Sequence, residues 1–213
     1  MNKYKLYFII IFSFILIQSV NFLYAQSKEK VTFSKSKHLS IFNEFILKAE
    51  TKLKIKSLKT SPSELQFRIW MYPHIGKNYF LISLDTVNNG WKGKLYFFQY
   101  NRNADSFSNI ITKDVNPKTN WNNLISKISR YGLFVLPDWE TLEIDSDIEV
   151  ADGATFLIEV VMDNNYRFFT YNNPNEYSSY SFECNCMNKI INLIDEELDL
   201  KNEFKKYIDI QNR

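Results

Sequence analysis

The sequence predicts an α+β fold: a single domain with an antiparallel, hairpin-rich sheet packed by helices, preceded by a helical or flexible lead-in. Three observations carry this. Several segments are rich in aromatic and β-branched residues, and residues 65–72 alternate with the period of two that a strand imposes. Turn formers separate these segments in pairs, as at Asn88-Asn89-Gly90 and Asp163-Asn164-Asn165. Other segments space their apolar residues three to four apart, as a helix with one buried side requires. Helices before, between and after antiparallel hairpins belong to the α+β class.

Taken in order, residues 1–25 have the layout of a signal peptide: Lys3 and Lys5, an apolar run over 6–17 broken only by Ser13, and Ala25 before the cut. The rival is an uncleaved anchor over residues 4–24, about the twenty residues that span a bilayer. Gln18, Ser19 and Asn21 make its second half polar, which favours cleavage and leaves no stable membrane span afterwards. The expected location is therefore periplasmic or extracellular. Residues 26–60 form a polar lead-in. Leu39, Phe42, Ile46, Ala49 and Leu53 predict a helix within it over about 39–54, and Ser61-Pro62-Ser63 ends it.

Residues 61–207 form the expected domain. Its strands are 65–72, 79–85, 91–100, 109–115, 155–162 and 166–171. Between the fourth and fifth, Trp121, Leu124, Ile125, Ile128 and Tyr131 line one stripe of a helix that Gly132 closes. An extended stretch over 133–137 is expected next. A last helix over about 179–200 points Met187, Ile190, Ile191, Ile194 and Leu198 inward, with 201–207 as its extension.

Composition excludes several classes. The 213 residues include 5 Gly, 5 Pro, 2 His and 2 Cys, too few for a collagen-like chain, a zinc finger or a His-rich metal centre. The net charge of +2 comes from the two lysines of the leader, so residues 26–213 are neutral overall. Charge is segregated along them: residues 26–137 carry +11 and residues 138–213 carry −11. A neutral exported chain is not expected to bind nucleic acid. The segregation predicts either a steering field or two poles folded against each other.

Candidate chemistry is sparse. The oxygen ligands Asp145, Asp147, Glu149 and Asp152 could gather calcium, or could guard an edge strand. Asp138 with Glu140, or Glu159 with Asp163, could serve as the acid and base of glycoside hydrolysis. Cys184 and Cys186 are two apart. On a helix such residues diverge by about 200°, so a disulfide needs the helix to begin after them. No motif of a zinc protease, serine hydrolase, P-loop or dinucleotide fold occurs. The candidate binding surface is an aromatic and polar sheet face holding Arg68, Trp70, Tyr72, Glu159, Arg167 and Tyr171. No catalytic residue, metal or cofactor is assigned.

Arg68-Ile69-Trp70, Trp91, Leu95-Tyr96, Trp121, Leu136-Pro137-Asp138, Asp152-Gly153, Ile158-Glu159-Val160, Tyr166-Arg167 and Asn173-Pro174 form a spaced pattern across about residues 64–200. In these features the chain resembles an uncharacterised family of secreted or lipoprotein-type proteins of Bacteroidetes-like bacteria, although it lacks a lipobox Cys. The resemblance implies export and no particular activity, cofactor or catalytic residue. The expected function is a non-catalytic domain that binds a ligand or partner, such as a glycan or an envelope protein. The alternatives are a hydrolase of envelope or extracellular polymer, and an immunity-like protein against a secreted toxin.

Overall fold

The computed structural model of the protein describes residues 37–61, 65–88, 90–144, 150 and 152–211. The candidate signal peptide, the start of the polar lead-in and the candidate calcium ligands at 145, 147 and 149 lie outside the described residues. Among the described residues, six strands form one sheet: β1 (Leu65–Pro73), β2 (Asn78–Val87), β3 (Gly90–Asn101), β4 (Ser106–Val115), β5 (Ala154–Met162) and β6 (Asn165–Asn172). Four helices accompany them: α1 (Lys37–Leu53), α2 (Trp121–Arg130), α3 (Phe182–Leu198) and α4 (Leu200–Gln211).

The sheet order is β4-β3-β2-β1-β5-β6 and every neighbouring pair is antiparallel. Strands β1 to β4 follow one another as a meander. The chain then passes through α2 and returns to set the β5–β6 hairpin on the other side of β1. Asp163 and Asn164 close that hairpin with φ of 50° and 62°, the left-handed pair of a tight turn. In the β2–β3 hairpin Val87 pairs with Gly90. Gly90 therefore begins the strand, one place earlier than a turn centred on residues 89 and 90 predicts, and Asn88 takes positive φ.

Strand alternation sorts the side chains onto two faces, and each face has its own helical cover. On one, Phe45, Ile46, Ala49 and Leu53 of α1 pack on Trp70, Tyr79, Leu81 and Phe98. On the other, Leu124 and Ile128 of α2, Met187, Ile190 and Ile194 of α3, and Tyr207 of α4 cover Phe67, Ile82, Leu95, Phe97 and Phe169. The expected helix in the lead-in is thus a layer of the domain itself, and a boundary at residue 60 does not set it apart. Its apolar stripe requires this, since leaving Phe45 and Ile46 in water would cost roughly 1.5–3 kcal/mol each.

Two local expectations are corrected. Residues 133–137 are not extended: Gly132, at φ 82°, turns the chain so that its carbonyl accepts the Val135 and Leu136 amides. The last helix does not run through residue 200. Asp199 sits at φ 57°, a left-handed stop that ends α3 and lets α4 start at Leu200.

Edge strand β4 is mostly exposed and irregular. Its register shifts opposite Phe97 and Gln99, where Asn109 takes φ 52° and its carbonyl accepts the Tyr207 hydroxyl at 3.1 Å. This is a β-bulge. The opposite edge, β6, is flanked by the segment after α2: Arg167 donates to the carbonyls of Phe134 and Leu136.

Candidate functional site

Four of the six candidate residues meet. β1 presents Gln66, Arg68, Trp70 and Tyr72 to the α1 side, and register places Arg68 opposite Ser83 on β2 and Glu159 on β5. Glu50 reaches this spot from α1, four residues after Ile46 and three before Leu53. The Arg68 guanidinium donates to Glu50 Oε1 at 2.8 Å and to the Lys56 carbonyl at 2.7 Å, and it stands 4.0 Å from Glu159 Oε2. Its Nε–H reaches Ser83 Oγ at 3.4 Å. Glu159 in turn accepts the Trp70 indole N–H at 2.8 Å and the Tyr166 hydroxyl at 3.0 Å. Arg68, Glu50 and Glu159 are all buried. Burial pushes the Glu159 carboxyl above its ordinary range, opposed by the Arg68 charge and by the Trp70 hydrogen bond.

This cluster corrects the expected aromatic binding face. Trp70 is 1% exposed, and Phe45 of α1 meets Trp70, Tyr72, Tyr79 and Phe98 ring to ring. A helix already occupies the surface that was to receive a ligand. Arg167 and Tyr171 are not part of the cluster. The two-residue turn at Asp163-Asn164 pairs Glu159 with Phe168, so Arg167 and Tyr171 point to the opposite face. There the Arg167 guanidinium lies over the Phe169 ring at 4.4 Å, and the Tyr171 hydroxyl is buried with no hydrogen-bond partner among the described residues. A turn of three residues, as Asp163-Asn164-Asn165 suggests, would have reversed this parity.

Beyond the C-terminal end of α1 the same face opens into a groove of about 320 Å³. Arg68, Ser83 and Asp85 line it with Tyr96, and the exposed Lys56 and Lys94 stand at its rim. Asp85 Oδ1 accepts the Gln66 amide and, at 3.4 Å, the Ser83 hydroxyl. Burial holds the Asp85 carboxyl above its ordinary range, while Gln66, Arg68, Ser83 and Lys94 pull it back. The groove therefore offers two exposed ammonium groups and one carboxylate over a floor in which Arg68 is already paired with Glu50. Its polar members escaped the sequence reading because β2 and β3 supply them from segments distant from Arg68. Glu50 is missing from the sequence expectations too, although its spacing from Ile46 and Leu53 puts it on the buried stripe of α1.

The candidate hydrolytic carboxylates do not converge here. Glu159 is sealed at 0% exposure and cannot meet a polymer. Asp138 caps the short turn Trp139–Thr141, accepting the Glu140 amide at 3.1 Å and the Thr170 hydroxyl at 3.3 Å. Burial raises its carboxyl, opposed first by the Glu140 amide hydrogen bond. Cys184 and Cys186 are free and buried inside α3, which begins before them. Their thiols are raised by burial, away from reactive thiolate character. Among the described residues no group of three or more His, Cys, Asp or Glu side chains is placed to hold a metal ion, and no helix is long and apolar enough to cross a membrane.

Compared with known proteins, the chain matches no family model, no curated protein and no solved structure.

Proposed function

We propose that the chain is an exported, non-catalytic binding domain whose ligand site is the groove over Arg68, and that the ligand is a small acidic sugar or a similar hydroxylated anion. One observation carries the reading: a buried guanidinium, pinned by Glu50, Ser83 and the Lys56 carbonyl, forms part of the floor of a groove open to solvent. Its position is set before any ligand arrives, which lowers the ordering cost of binding. Lys56 and Lys94 stand exposed at the rim, with Asp85 inside and Asp114 3.8 Å from Lys94, so an anion is met by the two ammonium groups themselves. Tyr96 supplies the apolar wall that a sugar ring uses. Export rests on the Lys3, Lys5 and 6–17 pattern.

The test is titration calorimetry of the chain from Gln26 onward with glucuronate, and with glucose as the neutral control. Heat with glucuronate alone is expected, and Lys56→Ala with Lys94→Ala should weaken it at least tenfold without lowering the melting temperature. Both lysines are exposed, so this variant separates binding from folding. Absence of heat with glucuronate, or equal heat with glucose, would defeat the reading.

A second reading has one observation behind it. The raised carboxyl of Asp138 suits a general acid for glycoside hydrolysis. Asp138→Asn should then abolish polysaccharide turnover, and turnover that survives this change removes the residue from consideration.

A further inference from the structure

Among the described residues, the large aromatic side chains most open to solvent are not on the sheet. Phe182 and Tyr180 are 76% and 58% exposed, although both belong to a segment whose next residue of similar kind, Tyr177, is buried. Phe182 is the first residue of α3, and Ser181 fixes it there by accepting the Cys184 amide at 3.2 Å. Together with Pro137 and Leu142 the two rings flank a groove of about 380 Å³ between the Trp139–Thr141 turn and the start of α3. The two rings stand in water beside a groove whose own lining is mostly polar, so they set apolar contact area next to polar partners.

The charge of the groove says which contact. Glu143 and Glu183 line it, and no Lys or Arg is among the described residues that do. Glu183 is held in place by the Ser181 hydroxyl at 2.8 Å. Glu140 stands on the adjoining turn. Aromatic faces and carboxylates side by side attract one chemistry in particular: an ammonium or guanidinium that lies over a ring while pairing with an acid.

We propose that this groove docks a lysine- or arginine-bearing extended segment of a partner protein, with Phe182 and Tyr180 receiving its apolar stems and Glu143 and Glu183 its charges. The site is separate from the groove over Arg68, which lies on the other face of the sheet, so neither proposal depends on the other.

Fluorescence anisotropy of a labelled dodecapeptide alternating Lys and Leu reads the interaction directly, with a Glu and Leu peptide of the same length as control. The Lys peptide is expected to bind, the Glu peptide is not, and raising salt from 50 to about 300 mM should weaken binding severalfold. Phe182→Ala and the pair Glu143→Gln with Glu183→Gln should each weaken binding about tenfold. Phe182 and Glu143 are exposed, and Gln retains an oxygen for the Ser181 hydroxyl, so all variants should melt like the parent. Equal binding of both peptides, no binding at low salt, or unchanged affinity in both variants would overturn the proposal. Lys56→Ala with Lys94→Ala should leave the peptide affinity as it was, and a loss there would also count against it.

Discussion

Glu50 and Glu159 face one guanidinium between them, and three buried charges cannot all be compensated by that single pairing. Glu50 holds the short contact to Arg68, at 2.8 Å against 4.0 Å for Glu159. Removing a partner from a buried pair leaves the other charge uncompensated. Glu50→Ala is expected to cost about 3 kcal/mol in urea unfolding, and Glu50→Gln less, because the amide oxygen still accepts from Arg68. Glu159 behaves differently, because burial raises its folded carboxyl above the unfolded value. A raised group favours folding while protonated. Its contribution is complete below the ordinary glutamate value of about 4.3 and is lost as pH rises through the folded value. Glu159→Gln, which still accepts from Trp70 and Tyr166, should flatten the decline in unfolding free energy as pH rises above the ordinary glutamate value. An unchanged pH slope in that variant would show that Glu159 does not titrate in this way.

At the scale of elements, α2 sits on the sheet through a missing side chain. A Cβ at Gly93 would stand 2.5 Å from the Trp121 ring and 2.9 Å from Leu84 Cδ2. Gly93→Ala should therefore lose roughly 1–3 kcal/mol, the usual cost of overpacking, read as a fall in melting temperature. Gly90→Ala, whose nearest neighbour would be the Val87 carbonyl at 3.7 Å, should change little. Most elements were legible because their signals are local. The stripe of Leu124, Ile125 and Ile128 and the alternation from Leu65 to Tyr72 each specify a period. What escaped was decided elsewhere. The left-handed stop at Asp199 sits in an unbroken run of helix formers and leaves no Gly or Pro to announce it. The covering of Trp70 and Tyr72 depends on where α1 docks, which no pattern within β1 encodes. The split of Arg167 from Glu159 turned on one residue in a hairpin.

For the whole molecule, the segregated charge is partly resolved by folding the two halves together. Lys113 of β4 pairs with Glu203 of α4 at 2.5 Å, and Lys118 approaches Asp199 at 4.0 Å. Unity of the domain has a direct consequence for its limits. A chain starting at residue 61 lacks α1, so Trp70, Tyr79 and Phe98 would face water, and Arg68 would lose Glu50. Such a truncation should bind an apolar dye strongly and elute as aggregates in gel filtration, while a chain starting at residue 35 should do neither. Compact, dye-free behaviour of the shorter chain would contradict the layered core described above.

The bulge in β4 bears on how the protein behaves in a crowded compartment. A sheet with a straight outer strand invites a second copy to add its own strand and begin a fibril. Here the invitation is withdrawn at both ends. Asn109 twists β4 out of line and has already given its carbonyl to Tyr207, while Lys113 and Asp114 put charge along the remaining rim. At β6, Arg167 ties a neighbouring loop alongside. The bulge and the charges along β4 weigh against a second copy adding its strand at that edge.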